Sequence, residues 1–493
     1  MLSVAVASLV SVQNFLLLNL GVAVGIIFGA IPGLSSVIGI TLLLPITYSL
    51  DIYSSLCVLI GVYCGGIYGG SITAILIDTP GAPASACTML DGHPMARKGK
   101  AGIALSIALR ASFVGGVISV FLLLLLGPSL AKIALKFGPS EMFGLCLIGL
   151  TVIPSVVGNN PKKGFLAALM GLFVTVIGGD AFSGLTRMTF GIGQLRGGIN
   201  LAPTMIGVFA FSQVIKKVYN AGKSDSTAQD FTKQTYPWKS LFSHWKTLIK
   251  SILLGTGIGA IPGTGPSLAA FVAYNSAKNS SKHPEEFGTG IEEGIIAPES
   301  ANNAVTGAAF IPLLSLGIPG DTATAVLAGA MTIAGVATGP TFYSTNAPLA
   351  YSIMGILLIA NILMLAQASV LTKIFARIAV VPTDILFPVV GVFCILGAYA
   401  SGNSMFDVWV MIVFGMIGFF VFDKFDIPKA PFIIARILGS MAEVNLRRAL
   451  QMSSNGAAIF ATRPITLLCI IISVLTVLYP LYKNRKKKKP ASN

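Results

Sequence analysis

Charge is what this chain has least of. Asp, Glu, Lys and Arg make up 10% of its 493 residues, against roughly a quarter in a soluble domain. With 54% of the residues hydrophobic, a water-soluble fold would leave wide apolar surface uncovered. A bilayer needs no polar cover, so the composition excludes a soluble globule and calls for an integral membrane protein. Histidine is scarcer still. His93, His244 and His283 pair neither with one another nor with cysteine at ligand spacing, so no metal site is expected. The six cysteines, Cys57, Cys64, Cys87, Cys146, Cys394 and Cys469, form no CxxC and read as small buried hydrophobes. So little histidine also excludes a Ser/His/Asp or Cys/His nucleophile, and no enzyme activity is expected. An intramembrane aspartyl protease fails too, because Ile318-Pro319-Gly320-Asp321 lacks the glycine two places before Gly320. The nearest approach to a phosphate loop, Ala221-Gly222-Lys223-Ser224, has Lys217 where its first glycine should stand, so the chain burns no ATP itself. No selectivity-filter motif points to a passive channel.

Acid is in deficit, 18 residues against 33 basic ones, for a net charge of +15. The bases sit in short gaps between apolar runs and in a tail holding Lys483, Arg485 and Lys486 to Lys489. That pattern predicts a cytoplasmic C-terminus, and it makes anionic membrane lipids a partner. No basic surface interleaved with aromatics is present, so no nucleic-acid partner is expected. The first apolar run has no positive charge before it, so it reads as a retained helix rather than a cleaved signal.

Apolar stretches at about 14–31, 52–77, 102–126, 141–158, 164–178, 199–218, 247–261, 300–318, 322–338, 348–371, 385–400, 405–422 and 464–482 predict an all-α polytopic protein. Some ten to thirteen transmembrane or re-entrant helices are expected. A long basic interruption divides the chain into a first half (1–219), a cytoplasmic linker (220–246), a second half (247–482) and the basic tail (483–493). Residues 424–463 carry both signs and read as an amphipathic or re-entrant segment. The halves resemble each other. Gly29-Ala30-Ile31-Pro32-Gly33 matches Gly259-Ala260-Ile261-Pro262-Gly263, and Asp78-Thr79-Pro80-Gly81 faces Gly317-Ile318-Pro319-Gly320. Two Pro-Gly breaks in the same order in each half are the internal-repeat signature of secondary transporters.

Pro removes a backbone donor and Gly frees φ, so each pair stops a helix. Within a membrane the freed N–H and C=O groups must be buried in protein or line a wet cavity. Free N–H groups then attract anions, and free carbonyls attract cations. Small polar residues cluster at the breaks, which makes Ser71, Thr73, Thr79, Pro80, Gly81, Asn302, Asn303, Gly320, Asp321 and Thr322 the candidate substrate contacts. Pro32, Gly33, Pro262, Gly263 and Pro319 supply the breaks themselves. Acids inside a membrane are costly and hence functional candidates. Glu299 and Asp321 are the candidates for a coupling ion or proton, although Asp321 also suits a helix cap.

Several long motifs resemble the large membrane subunit of tripartite tricarboxylate transporters, the TctA family. They include Gly29-Ala-Ile-Pro32-Gly33, Tyr68-Gly69-Gly70-Ser71 through Thr79-Pro80-Gly81, and Leu90-Asp91-Gly92-His93-Pro94-Met95-Ala96-Arg97. Further along come Ala297-Pro298-Glu299-Ser300-Ala301-Asn302-Asn303-Ala304, Leu316-Gly317-Ile318-Pro319-Gly320 and Leu446-Arg447-Arg448-Ala449-Leu450. The pattern departs at Asp78, Ala82 and Asp321, which leaves the substrate open. The resemblance implies a bacterial inner-membrane permease working with a small four-span membrane subunit and a periplasmic solute-binding protein. It implies carboxylate import driven by a Na⁺ or H⁺ gradient, with no other cofactor. The residues alone leave two further readings open. One is a stand-alone ion-coupled carboxylate symporter, and the other is a membrane scaffold or sensor that binds solute without moving it.

Overall fold

The computed structural model describes residues 11–31, 34–156, 161–180, 182–219, 234–378, 383–453 and 456–486. Pro32 and Gly33, most of the linker (220–233) and the end of the tail (487–493) lie outside the described residues.

The architecture is all-α and multi-pass. Among the described residues the only strand pairing joins Gly178–Gly179 to Thr186–Arg187. The first half begins with α1 (Val12–Ala30), α2 (Ser36–Leu43), α3 (Ile52–Leu76), α4 (Ala86–Met95) and α5 (Ala101–Ala134). It continues through α6 (Pro139–Val156), α7 (Pro161–Val176) and the helical stretch α8 (Leu201–Tyr219). The second half begins with α9 (Trp245–Gly259), α10 (Gly265–Ser280), α11 (Glu293–Ala308), α12 (Phe310–Leu316) and α13 (Thr322–Ile333). It ends with α14 (Ala347–Ile378), α15 (Thr383–Gly402), the stretch α16 (Met405–Asp423), α17 (Lys429–Met452) and α18 (Pro464–Lys486).

Six segments are long and apolar enough to cross a bilayer, among them α1, α3, α8, α16 and most of α14, and a bent pair at Gly456–Val477 makes a possible seventh. Apolar stretches expected at 247–261, 300–318 and 322–338 are shorter helices instead, cut where Pro and Gly interrupt the ladder. Residues 424–463, read from sequence as amphipathic or re-entrant, hold the 24-residue helix α17. Exposed Leu124, Leu125 and Leu126 on α5 and Leu467, Leu468 and Ile471 on α18 belong against lipid. By contrast, α3 is buried at every position from Ser54 to Leu76.

Two helical hairpins frame the centre. Ser54 Oγ donates to Asn14 Oδ1 at 2.7 Å, and Ser55 Oγ donates to the Thr47 carbonyl at 2.9 Å. The chain that enters with α1 has therefore returned to its own start soon after α2. At the base of the second hairpin, Lys250 Nζ on α9 donates to Ser280 Oγ on α10 at 3.1 Å. Glycines let α1 lie directly on α3: a Cβ at Gly25 would collide with Val62, and one at Gly29 with Gly66. In the same way Gly255 and Gly259 seat α9 on Ala301 and Val305 of α11. Helix α3 runs antiparallel to α11, since Tyr63 meets Phe310 with ring centroids 6.4 Å apart while Ser71 meets Glu299. The first hairpin with α3 thus points opposite to the second hairpin with α11.

Candidate functional site

Residues at or just after each of the four interruptions line one cavity of about 590 Å³, a size suited to a small organic ligand. Ser35 and Ser36 follow the first break, Pro80 to Ala84 begin at the second, Pro266 and Ser267 follow the third, and Asp321 to Ala323 follow the fourth. Each contribution lies at or near the start of a helical segment, and local chemistry sets those starts. Ser35 caps α2 by accepting from the Ile38 N–H at 3.5 Å. Pro83 opens the turn before α4, and Pro266 stands in the first turn of α10, where a missing N–H costs nothing. Asp321 forms a capping box with Thr324: its Oδ1 accepts from the Thr324 N–H at 2.7 Å, and the Asp321 N–H donates to Thr324 Oγ1 at 2.9 Å. Its Oδ2 accepts from the Tyr63 hydroxyl at 2.6 Å, tying the fourth break to α3. The remaining wall holds Phe209 and Gln213 from α8, Asp423 at the end of α16, and Lys429 at the start of α17.

Close backbone packing holds the breaks together. The Gly263 N–H donates to the Gly320 carbonyl at 2.8 Å, which joins the third break to the fourth. The second break is held by the Gly81 N–H donating to the Gly70 carbonyl at 3.3 Å. A Cβ at Gly81 would collide with the Gly29 carbonyl oxygen, and one at Gly320 would lie 2.7 Å from the Gly259 carbonyl oxygen.

A second polar centre lies outside the cavity lining. Glu299 is fully buried and accepts from Ser71 Oγ at 2.5 Å, from Ser112 Oγ at 2.7 Å and from Thr88 Oγ1. The three hydroxyls come from α3, α5 and α4, so one acid of the second half is held wholly by the first. No basic side chain pairs with it among the described residues. Asn303 Nδ2 donates to Ser112 Oγ at 2.8 Å, but its Oδ1 is buried without a partner, as are both amide atoms of Asn302. Ionised, such a carboxylate is uncompensated, and a proton or a small cation would neutralise it. Hydroxyl, amide and carboxylate oxygens are the donor set that a hard cation prefers.

The residues singled out from the sequence therefore divide. Pro80, Gly81, Asp321 and Thr322 line the cavity. Ser71, Asn303 and Glu299 form the buried centre, with Asn302 on the same helix. Gly320, Gly263 and Pro319 shape the breaks, and Pro262 sits between α9 and α10. Thr73 turns its hydroxyl to the Gly70 carbonyl at 3.3 Å. Thr79 joins neither group: it is exposed, and its hydroxyl donates to the Ile77 carbonyl within its own loop. Sequence reasoning missed Tyr63, Thr88, Ser112, Asp423 and Lys429. For the last two a signal existed, since charges of both signs, Asp423, Lys424, Asp426 and Lys429, crowd around Pro428 at the end of an apolar stretch. His283, Glu285 and Glu286 come within ligand reach of one another. All three are exposed on one turn, so no protein shell holds them for a metal.

A multi-pass helical protein whose broken helices converge on one cavity has the build of a membrane transporter. Comparison with known proteins gives the family. The tripartite tricarboxylate transporter TctA family matches residues 15–434, and the chain belongs to it. It is 37% identical over 475 residues, 92% of each chain, to an uncharacterized 52.8 kDa protein in the TAR-I ttuC' 3' region of Agrobacterium vitis. It is 36% identical over 228 residues to an uncharacterized protein of the TAR-II ttuC' 3' region of the same organism, covering 45% of this chain and 94% of that one. No solved structure matches it significantly.

Proposed function

We propose that the chain is the large permease subunit of a tripartite system that imports carboxylates, of tricarboxylate type, across the bacterial inner membrane on a Na⁺ or H⁺ gradient. The observation that carries this reading is the convergence on one cavity of the segments at or just after all four interruptions. Helix starts there, other than the one Asp321 caps, offer N–H groups to carboxylates, and no nucleotide motif supplies another energy source. Glu299 is the ion-carrying group, because both its oxygens are held by side-chain hydroxyls alone, with no counter-charge among the described residues and no backbone cap to make. Asp321 serves mainly as a cap. The partners are a small four-span membrane subunit and a periplasmic binding protein.

Matched contacts support two inverted repeats working by alternating access. Gly25 seats on Val62 as Gly255 seats on Ala301, and Gly81 abuts Gly29 and Gly70 as Gly320 abuts Gly259 and Ala309. The two sets run in opposite directions, as inverted repeats require. Basic residues at Arg97 to Lys100, Lys162, Lys163, Lys216 and Lys217 favour a cytoplasmic side shared with the tail. The test is uptake into proteoliposomes holding this chain with its small subunit, with and without the binding protein, under an imposed Na⁺ or proton gradient. Gradient-dependent accumulation of a carboxylate only when the binding protein is present supports the reading. Accumulation without it points to a stand-alone symporter, and binding without uptake points to a sensor.

A further inference from the structure

Lys429 is the one cation among the described residues that line the cavity, and its position costs the fold. It is the first residue of a 24-residue helix, where the positive end of the helix dipole disfavours a cation. Its side chain is only 11% exposed, so its ammonium is largely stripped of water. Two acceptors face its three N–H donors: Asp423 Oδ2 and Ser212 Oγ, both at 2.8 Å. A buried ion pair of this kind adds little to stability, and an apolar pair would serve the turn between α16 and α17 as well. The cavity supplies a reason to keep it. Helix starts at the four breaks line the cavity, and Lys429 belongs to the wall built by α8, α16 and α17. Asp321, the other acid on the wall, has its oxygens committed to Thr324 and Tyr63. Asp423 is therefore the group with which an incoming anion competes for Lys429.

We infer that Lys429 is a substrate-binding residue that selects for valence. One carboxylate of the solute meets the helix starts, and a second displaces Asp423 from the ammonium, so the site takes di- and tricarboxylates over monocarboxylates. This inference rests on the carboxylate reading above. Losing one charge-assisted hydrogen bond weakens binding roughly ten- to hundredfold. The experiment is titration of the full-length chain in nanodiscs with acetate, succinate and citrate. Wild type is expected to hold succinate and citrate well above acetate. Lys429→Gln should lose roughly ten- to hundredfold for those two while acetate is unchanged. Lys429→Arg should retain the preference, and Asp423→Asn, which frees the ammonium, should tighten succinate and citrate. If Lys429→Gln misfolds, Lys429→Arg and Asp423→Asn still decide: unaltered succinate and citrate binding in Asp423→Asn would overturn the inference. So would a Lys429→Gln protein that kept the wild-type preference or weakened all three acids equally. A wild type that binds none of the three would overturn the carboxylate reading, and this inference with it.

Discussion

Replacing Glu299 tests the buried centre directly, because two substitutions there separate charge from packing. Glu299→Ala removes the acceptor of Ser71, Thr88 and Ser112 together. A buried donor left without a partner costs about 1–3 kcal/mol, so three cost roughly 3–9 kcal/mol, with water in the vacated space favouring the low end. That is a large share of a domain's usual ~5–15 kcal/mol, and Glu299→Ala should give little folded protein. Glu299→Gln keeps the shape. Its amide oxygen still accepts from Ser71 and Thr88, and its NH₂ can donate to Ser112 Oγ. The Ser112 proton can then turn back to the carbonyl four residues earlier on its own helix, at Ala108. The expected loss is about 1 kcal/mol or less. Glu299→Gln also fixes the neutral state of the acid, so it should exchange solute across the membrane but fail to accumulate it on a gradient. The assay pairs thermal unfolding of the full chain with counterflow and gradient-driven uptake in the same proteoliposomes. Normal accumulation by a well-folded Glu299→Gln protein would refute the assignment of the ion to this residue.

Gly320→Ala places a methyl 2.5 Å from Ala309 Cα and 2.7 Å from the Gly259 carbonyl oxygen. Backbone cannot swing aside, so the variant should lose about 1–3 kcal/mol or more in thermal unfolding, and uptake with it. At the base of the second hairpin, His244 lies 3.3 Å from Glu292 and 3.5 Å from Glu293. Its hydrogen bond to Glu292 raises the imidazole pKa, and the same bond lowers that of Glu292. The stabilisation from His244 is complete below the usual imidazole range and fades as pH rises through the raised value. That from Glu292 is complete above the usual carboxylate range and fades as pH falls through the lowered value. Protection of the backbone at the start of α9, corrected for the base-catalysed rise in intrinsic exchange, should therefore fall as pH rises above the usual imidazole value of about 6.5, and His244→Gln should abolish that fall.

How much of this was legible in the sequence depends on how local each signal is. Helical class and membrane residence follow from composition, and the four breaks follow from Pro and Gly acting on their own backbone. That the breaks meet does not, because it depends on α3 running antiparallel to α11. The candidate site divided for the same reason. Ser71 and Thr79 stand eight positions apart, yet α3 buries one and the loop after it exposes the other. Thr88 and Ser112 are ordinary hydroxyls in apolar sequence, and only the approach of Glu299 from the other half gives them a role. Tyr63 reads as a core aromatic until Asp321 is brought to its hydroxyl.

The two polar centres are joined by a short relay, and its polarity follows from proton counting. Ser71 Oγ has one proton and gives it to Glu299, so across the 3.5 Å to Ser85 Oγ it is Ser85 that donates. Ser85 directly follows Pro83 and Ala84 on the cavity wall. When Glu299 takes up a proton it can donate to Ser71, and Ser71 then turns its own proton towards Ser85, which must give up its bond. On the proposal that Glu299 carries the ion, its occupancy would be felt at the second break through one reversible hydrogen bond. Ser85→Ala removes that bond while leaving Ser71, Thr88 and Ser112 on Glu299. At 3.5 Å the bond is long and contributes at the low end for a neutral hydrogen bond, about 0.5 kcal/mol, so the factor by which the ion strengthens solute binding should fall roughly twofold. Solute titrations at low and saturating ion measure that factor in both proteins. An equal factor in Ser85→Ala would mean that the ion acts on the cavity by another route.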